Sequence, residues 1–140
     1  MSARGEPSGR RLGYVIAIAI NLLVLWIVHS VANWGLSFIT ASWPQVIWAF
    51  NLSIGATIVA NTAFLVYDGA WFKHLVQMVL NLLGIVVIVT LFRVFPFDFG
   101  SEWVNQLARL ALVLGLLGTV IAVIVEFVSL LRAVTRSPRA

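Results

Sequence analysis

Four long apolar runs, at residues 12–32, 44–66, 71–94 and 103–131, carry few charges, and no other feature restricts the fold of this chain so strongly. Each is long enough to cross about 30 Å of hydrocarbon at about 1.5 Å of helix rise per residue. Backbone polar groups in lipid must be satisfied within their own segment, so runs of this kind fold as helices. Composition agrees: 61% of the 140 residues are hydrophobic and 10% charged, against about half and about a quarter in a soluble domain. Too few charges remain to cover a water-facing surface. The expected fold is an all-α integral membrane protein, an up-down-up-down bundle of four transmembrane helices filling residues 12–132. A disordered cytoplasmic tail is expected at 1–11 and a basic cytoplasmic tail at 133–140.

The boundaries have local signals. Pro44 suits a first helical turn, where its missing N–H costs nothing. Asp68 and Ser101 stand where a side-chain oxygen can cap the third and fourth spans. Trp and Tyr mark most span ends, as interfacial anchors do. The fourth run exceeds the bilayer requirement, so it tilts or projects. Ser30-Val31-Ala32 has the small-x-small form of a signal-peptidase site. The stretch before it is longer than a usual signal core and holds Asn21 and His29, so it reads as a retained span. An Asn-Leu echo at Asn21, Asn51 and Asn81 reads as chance resemblance in an apolar sequence rather than a transporter repeat.

Orientation follows from the basic residues. Arg4, Arg10, Arg11, Lys73, Arg132, Arg136 and Arg139 fall on one side, whereas the other has an uncharged first loop and a third loop with Asp98 and Glu102. Arg93 lies near that second edge. The positive-inside rule places both termini in the cytoplasm of a multi-pass cell-membrane protein.

Ionisable and amide side chains inside spans are costly and need partners, so they are the candidate sites. On the third span His74, Gln77 and Asn81 share one helical face. Glu126 lies about six residues inside Arg132, roughly 9 Å deep, and Asn61 and Gln77 come out near that depth. Asn61, Gln77 and Glu126 are expected in one layer, with His74 or Lys73 as the cationic partner. Read as function, this is a proton or cation site. Read as structure, it is a hydrogen-bond knot joining three helices. A second layer lies on the opposite side. Glu102, Asn105, Gln106 and Arg109 share a face of the fourth span, with Arg109 pairing to Glu102 or Asp98, or else meeting Asn51 or His29 at similar depth. It suits an anion or headgroup contact, or an ion pair holding the third loop. Ala111, Gly115, Gly118, Thr119, Ala122 and Ser129 form a small-residue packing stripe on the fourth span, to which Ser53, Thr57 and Ala60 offer a mate. Asn21 and Asn81, near mid-depth, are placed to bond each other.

Several chemistries are excluded. The chain has no cysteine, so disulfides and thiol chemistry are absent. His29 and His74 belong to opposite membrane halves, and no spacing fits a metal site, a hydrolytic triad or a phosphate loop. No enzyme activity, cofactor or metal is expected. The net charge of +4 reflects span flanks rather than nucleic-acid binding, since no aromatic-basic patch lies outside the spans. The expected partners are the lipid bilayer and either further copies of the chain or another membrane protein. The leading expectation is a structural, accessory or assembly component of a membrane complex. The alternative is an oligomeric transporter or channel for protons, cations or a small polar solute, working through Glu126 and its polar neighbours.

Overall fold

The computed structural model describes residues 7–136. They form four helices, α1 (Pro7–Ser30), α2 (Pro44–Val66), α3 (Ala70–Val94) and α4 (Glu102–Arg136), with one 3-10 turn at Val31–Trp34 after α1. All four are long and apolar enough to cross a membrane. The helix α1 begins at Pro7, so residues 7–11 of the expected disordered tail are helical. Residues 1–6 and 137–140 of the two tails lie outside the described residues.

Successive helices run antiparallel, because each connection is short. Tyr14 near the start of α1 packs in a tilted ring contact on Phe64 near the end of α2, and His74 near the start of α3 reaches Glu126 late in α4. The alternating order therefore agrees with expectation. Packing joins α1 to α2, α2 to α3 and α3 to α4, whereas α1 and α4 make no direct packing contact among the described residues. The four helices form an open row rather than a closed ring.

Two apolar clusters hold the row, and both belong to α1–α3 and their loops. One gathers Tyr14, Ala60 and Phe64, with Phe72, Val76 and Leu80 against them. The other gathers Val28, Val31, Trp43, Val46 and Ile54, with Leu91 and Phe97 packed on it. The Trp43 indole N–H donates to the Val28 carbonyl at 2.9 Å, which satisfies its polar edge in a buried place. No described residue of α4 is buried. That helix meets α3 along a line of half-buried residues at three- and four-residue spacing, Leu112, Leu116, Thr119, Val123 and Glu126.

The two loops away from the termini are laced together. Thr40 N–H donates to Pro96 O and Asp98 N–H to Phe38 O, at 3.0 and 2.9 Å, around an antiparallel bridge between Ile39 and Phe97. The helix α3 ends on Phe95 in the left-handed region at φ 45, a strained conformation for a side-chain-bearing residue. Burial of Phe95 and Pro96 holds the turn there.

Candidate functional site

The polar side chains divide between the end carrying the termini and the end carrying the laced loops. At the terminal end, helical periodicity carries His74 toward α4 and the neighbouring Lys73 toward α1. The Nδ1 of His74 lies 2.7 Å from Oε1 of Glu126. Both side chains are about one-third exposed or less, at 35% and 25%. One proton between imidazole and carboxylate suffices for the bond, and the imidazole is charged only when it carries two. The pair can therefore hold a proton within the α3–α4 seam, and it also joins those helices.

The expected layer does not assemble beyond this pair. Asn61 is buried on α2, but its amide donates to Thr57 O of its own helix at 2.8 Å. A buried amide without a cross-helix acceptor takes the i−4 carbonyl that the helix geometry supplies. Gln77 and Asn81 are half-buried, and their side chains make no hydrogen bond among the described residues. Asn21 donates to Ala17 O at 2.8 Å rather than to Asn81, since α2 stands between α1 and α3 in the row.

Lys73 is not the partner of Glu126. Its ammonium lies over the rings of Tyr14 and Phe64, 5.2 and 5.7 Å from their centroids. It completes a cluster that the sequence reading missed. Asp68, in the α2–α3 turn, accepts from Arg10 Nε at 2.7 Å and from Tyr14 OH at 3.0 Å. These two hydrogen bonds hold its carboxyl below the usual value of 3.8, with the charges of Arg10 and Lys73 adding to the effect and desolvation opposing it. Asp68 therefore ties the start of α1 to the α2–α3 turn. It does not cap α3, whose N-cap is Gly69 without a side-chain bond. The available signal was an acid in a tight turn facing an arginine-rich segment.

The loop-end layer also divides. His29 Nε2 and Asn51 Oδ1 meet at 2.7 Å between α1 and α2. Glu102 accepts from Gln106 Nε2 at 2.9 Å. Arg109 pairs with no acid among the described residues; its guanidinium lies 4.3 Å from the centroid of Phe95. The left-handed turn at Phe95 offers that ring as a platform, and a planar guanidinium stacks well on an aromatic face. Asn105 Oδ1 accepts from Phe99 N–H at 2.9 Å, bracing the loop before α4. That anchoring replaces the expected Ser101 side-chain cap, since Ser101 contributes its backbone carbonyl to Asn105 N–H. Arg109, Glu102, His29 and Asn51 thus occupy two separate places rather than one site.

The small-residue stripe is split. Thr119 and Ala122 are half-buried, whereas Ala111, Gly115 and Gly118 are exposed. A Cβ on Gly84 would lie 3.9 Å from Thr119 Cγ2, and one on Gly115 would lie 3.8 Å from Ile88 Cδ1; at Gly118 it would meet nothing within 4 Å. One flank of the stripe thus touches α3 and the other is open. No group of three metal-ligating side chains occurs among the described residues.

No family model, curated protein or solved structure matches this chain.

Proposed function

We propose that the chain is a multi-pass membrane protein, with both termini in the cytoplasm, that serves as an assembly component. Its fourth helix presents a small-residue face to a transmembrane partner, either another copy of the chain or a different membrane protein. The observation carrying this reading is that α4 packs on α3 alone, leaving Ala111, Gly115 and Gly118 exposed beside the seam. Small residues let helix backbones approach closely in lipid, where packing drives association. The four apolar spans and the basic residues gathered at the terminal end support the membrane setting and the orientation.

The chain has no cysteine, so a single introduced thiol is a unique probe. Gly118→Cys or Ala111→Cys is expected to form an oxidative cross-link in native membranes, because close helix approach brings Cα atoms within disulfide range. Leu117→Cys, roughly 100° round the helix, is expected to stay unlinked. Equal cross-linking at all three positions, or none, would refute an α4 interface between copies of the chain.

A second reading has one observation behind it, the 2.7 Å His74–Glu126 bond in the α3–α4 seam. An oligomer using that pair would carry protons or cations. It requires flux in proteoliposomes that Glu126→Gln abolishes while the helices still fold, and an inert wild type would sink it.

A further inference from the structure

A cleft at the loop end, between the start of α2 and the end of α3, is used by none of the pairs above. It has a volume of about 470 Å³ and is lined by Ser42, Gln45, Trp48, Thr90, Arg93 and Val94. Arg93, in the last turn of α3, is exposed. Neither its guanidinium nor the Gln45 amide has a hydrogen bond or ion pair among the described residues. No carboxylate lines the cleft. The Thr90 hydroxyl donates to Val86 O at 2.7 Å, so it offers only its oxygen. Ser42 Oγ lies 2.7 Å from Thr40 Oγ1, and when Thr40 donates, the Ser42 hydrogen is free to turn to the cleft. The available groups are therefore chiefly donors around one uncompensated cation. Trp48, one turn further into α2 than Gln45, supplies an exposed aromatic wall on the span side.

We propose that this cleft binds a phosphate group. The guanidinium fork matches two phosphate oxygens, and such charge-assisted pairs are the strong class of hydrogen bond. Gln45 supplies a second, neutral donor. Two sources carry this chemistry: an anionic lipid headgroup at the loop-end interface, where Trp48 sits as an interfacial aromatic does, and phosphate in solution. The lipid source rests on the membrane reading above, and the solution source does not.

The test uses the full chain in phosphatidylcholine nanodiscs doped with phosphatidylglycerol, and in detergent with inorganic phosphate. Native mass spectrometry counts retained lipid, and calorimetry follows the free anion. Arg93→Gln is expected to weaken phosphatidylglycerol retention about tenfold, equivalent to about 1.4 kcal/mol. Gln45→Leu, which changes no charge, is expected to weaken it severalfold, and phosphatidylcholine retention is expected to hold. Binding of inorganic phosphate alone with the same dependence on Arg93 and Gln45 would support the cleft and assign the solution source. Wild-type affinity in Arg93→Gln for both probes would overturn the proposal. So would wild-type affinity in Gln45→Leu, because diffuse positive charge would then explain any effect of Arg93. A chain that fails to enter nanodiscs would count against the membrane reading, and the detergent arm would still decide the cleft.

Discussion

Replacing His74 and Glu126 by leucine, singly and together, tests what their 2.7 Å bond contributes. Each side chain has only the other as a hydrogen-bond partner among the described residues. A single replacement therefore strands a polar group in the α3–α4 seam. That costs about 1–3 kcal/mol for an unsatisfied buried group in water. In a bilayer the stranded group finds other partners, and measured couplings average about 0.6 kcal/mol with a maximum near 1.7. The pair is only 35% and 25% exposed, and in the membrane proposed here that exposed part meets lipid, so the upper half of the range applies, about 1–1.7 kcal/mol. The double variant places two apolar side chains against each other and is expected to lie close to wild type, as replaced buried ion pairs often do. The assay is reversible unfolding in mixed micelles at neutral pH, read as a double-mutant cycle. A double variant whose loss equals the sum of the two single losses would refute the argument.

Other perturbations have equally definite outcomes. Trp43→Phe keeps most of the buried ring but leaves the Val28 carbonyl without its 2.9 Å donor, so a loss of about 1–3 kcal/mol is expected in the same unfolding assay. Phe64→Ala empties a site that is 3% exposed, between Tyr14 and Phe72. About 3 kcal/mol is expected, at the low end for such truncations because the apolar interior of the mixed micelles competes with the apolar contacts. The Asp68 carboxyl is held below 3.8 in the folded chain. Its contribution is therefore complete above that pH and disappears as the pH falls through the lowered folded value. Acid titration of unfolding is expected to show this loss in wild type and to lack it in Asp68→Asn, which should be less stable at neutral pH.

Helix positions and order were legible because they follow from two local facts, apolar run length and short polar breaks. Pro44 within the first turn of α2 is of the same kind. Counting residues inward from the boundaries set Asn61, Gln77 and Glu126 at one depth with His74 or Lys73 as partner, and His74 is the one that meets Glu126; Asn51 and His29 were set at the depth of Arg109 and bond each other instead. What the sequence withheld was azimuth and neighbour choice. Asn61 had the right depth but turned to Thr57 of its own helix, an option that every amide in a helix keeps. Arg109 was expected on an acid and settled on Phe95, because the left-handed turn of that residue is a tertiary feature with no local motif. Asp68 looked like a cap from its position, and the partners that claimed it, Arg10 and Tyr14, lie 58 and 54 residues away.

The way α4 is held bears on how the chain works. Along most of the seam one aliphatic side chain resembles the next, and a slip of one turn would exchange Leu112 for Leu116 at little cost. A single polar pair reduces that degeneracy, because a slip of about 5.4 Å would break the 2.7 Å His74–Glu126 bond. Pairing of this kind is the best-attested use of isolated polar groups in apolar helix contacts. Along the same seam Gly84 faces Thr119 and Gly115 faces Ile88, each with room for a Cβ in ordinary contact at 3.9 and 3.8 Å. A helix fixed in register by one pair, yet with none of its described residues buried, has its position set while much of its surface stays open. Substituting Gly118, where an added Cβ meets nothing within 4 Å, separates the two roles. Gly118→Leu is expected to leave unfolding of the isolated chain within about 0.5 kcal/mol of wild type while abolishing the cross-link formed through Ala111→Cys. Loss of both together would place Gly118 in the fold rather than in an interface.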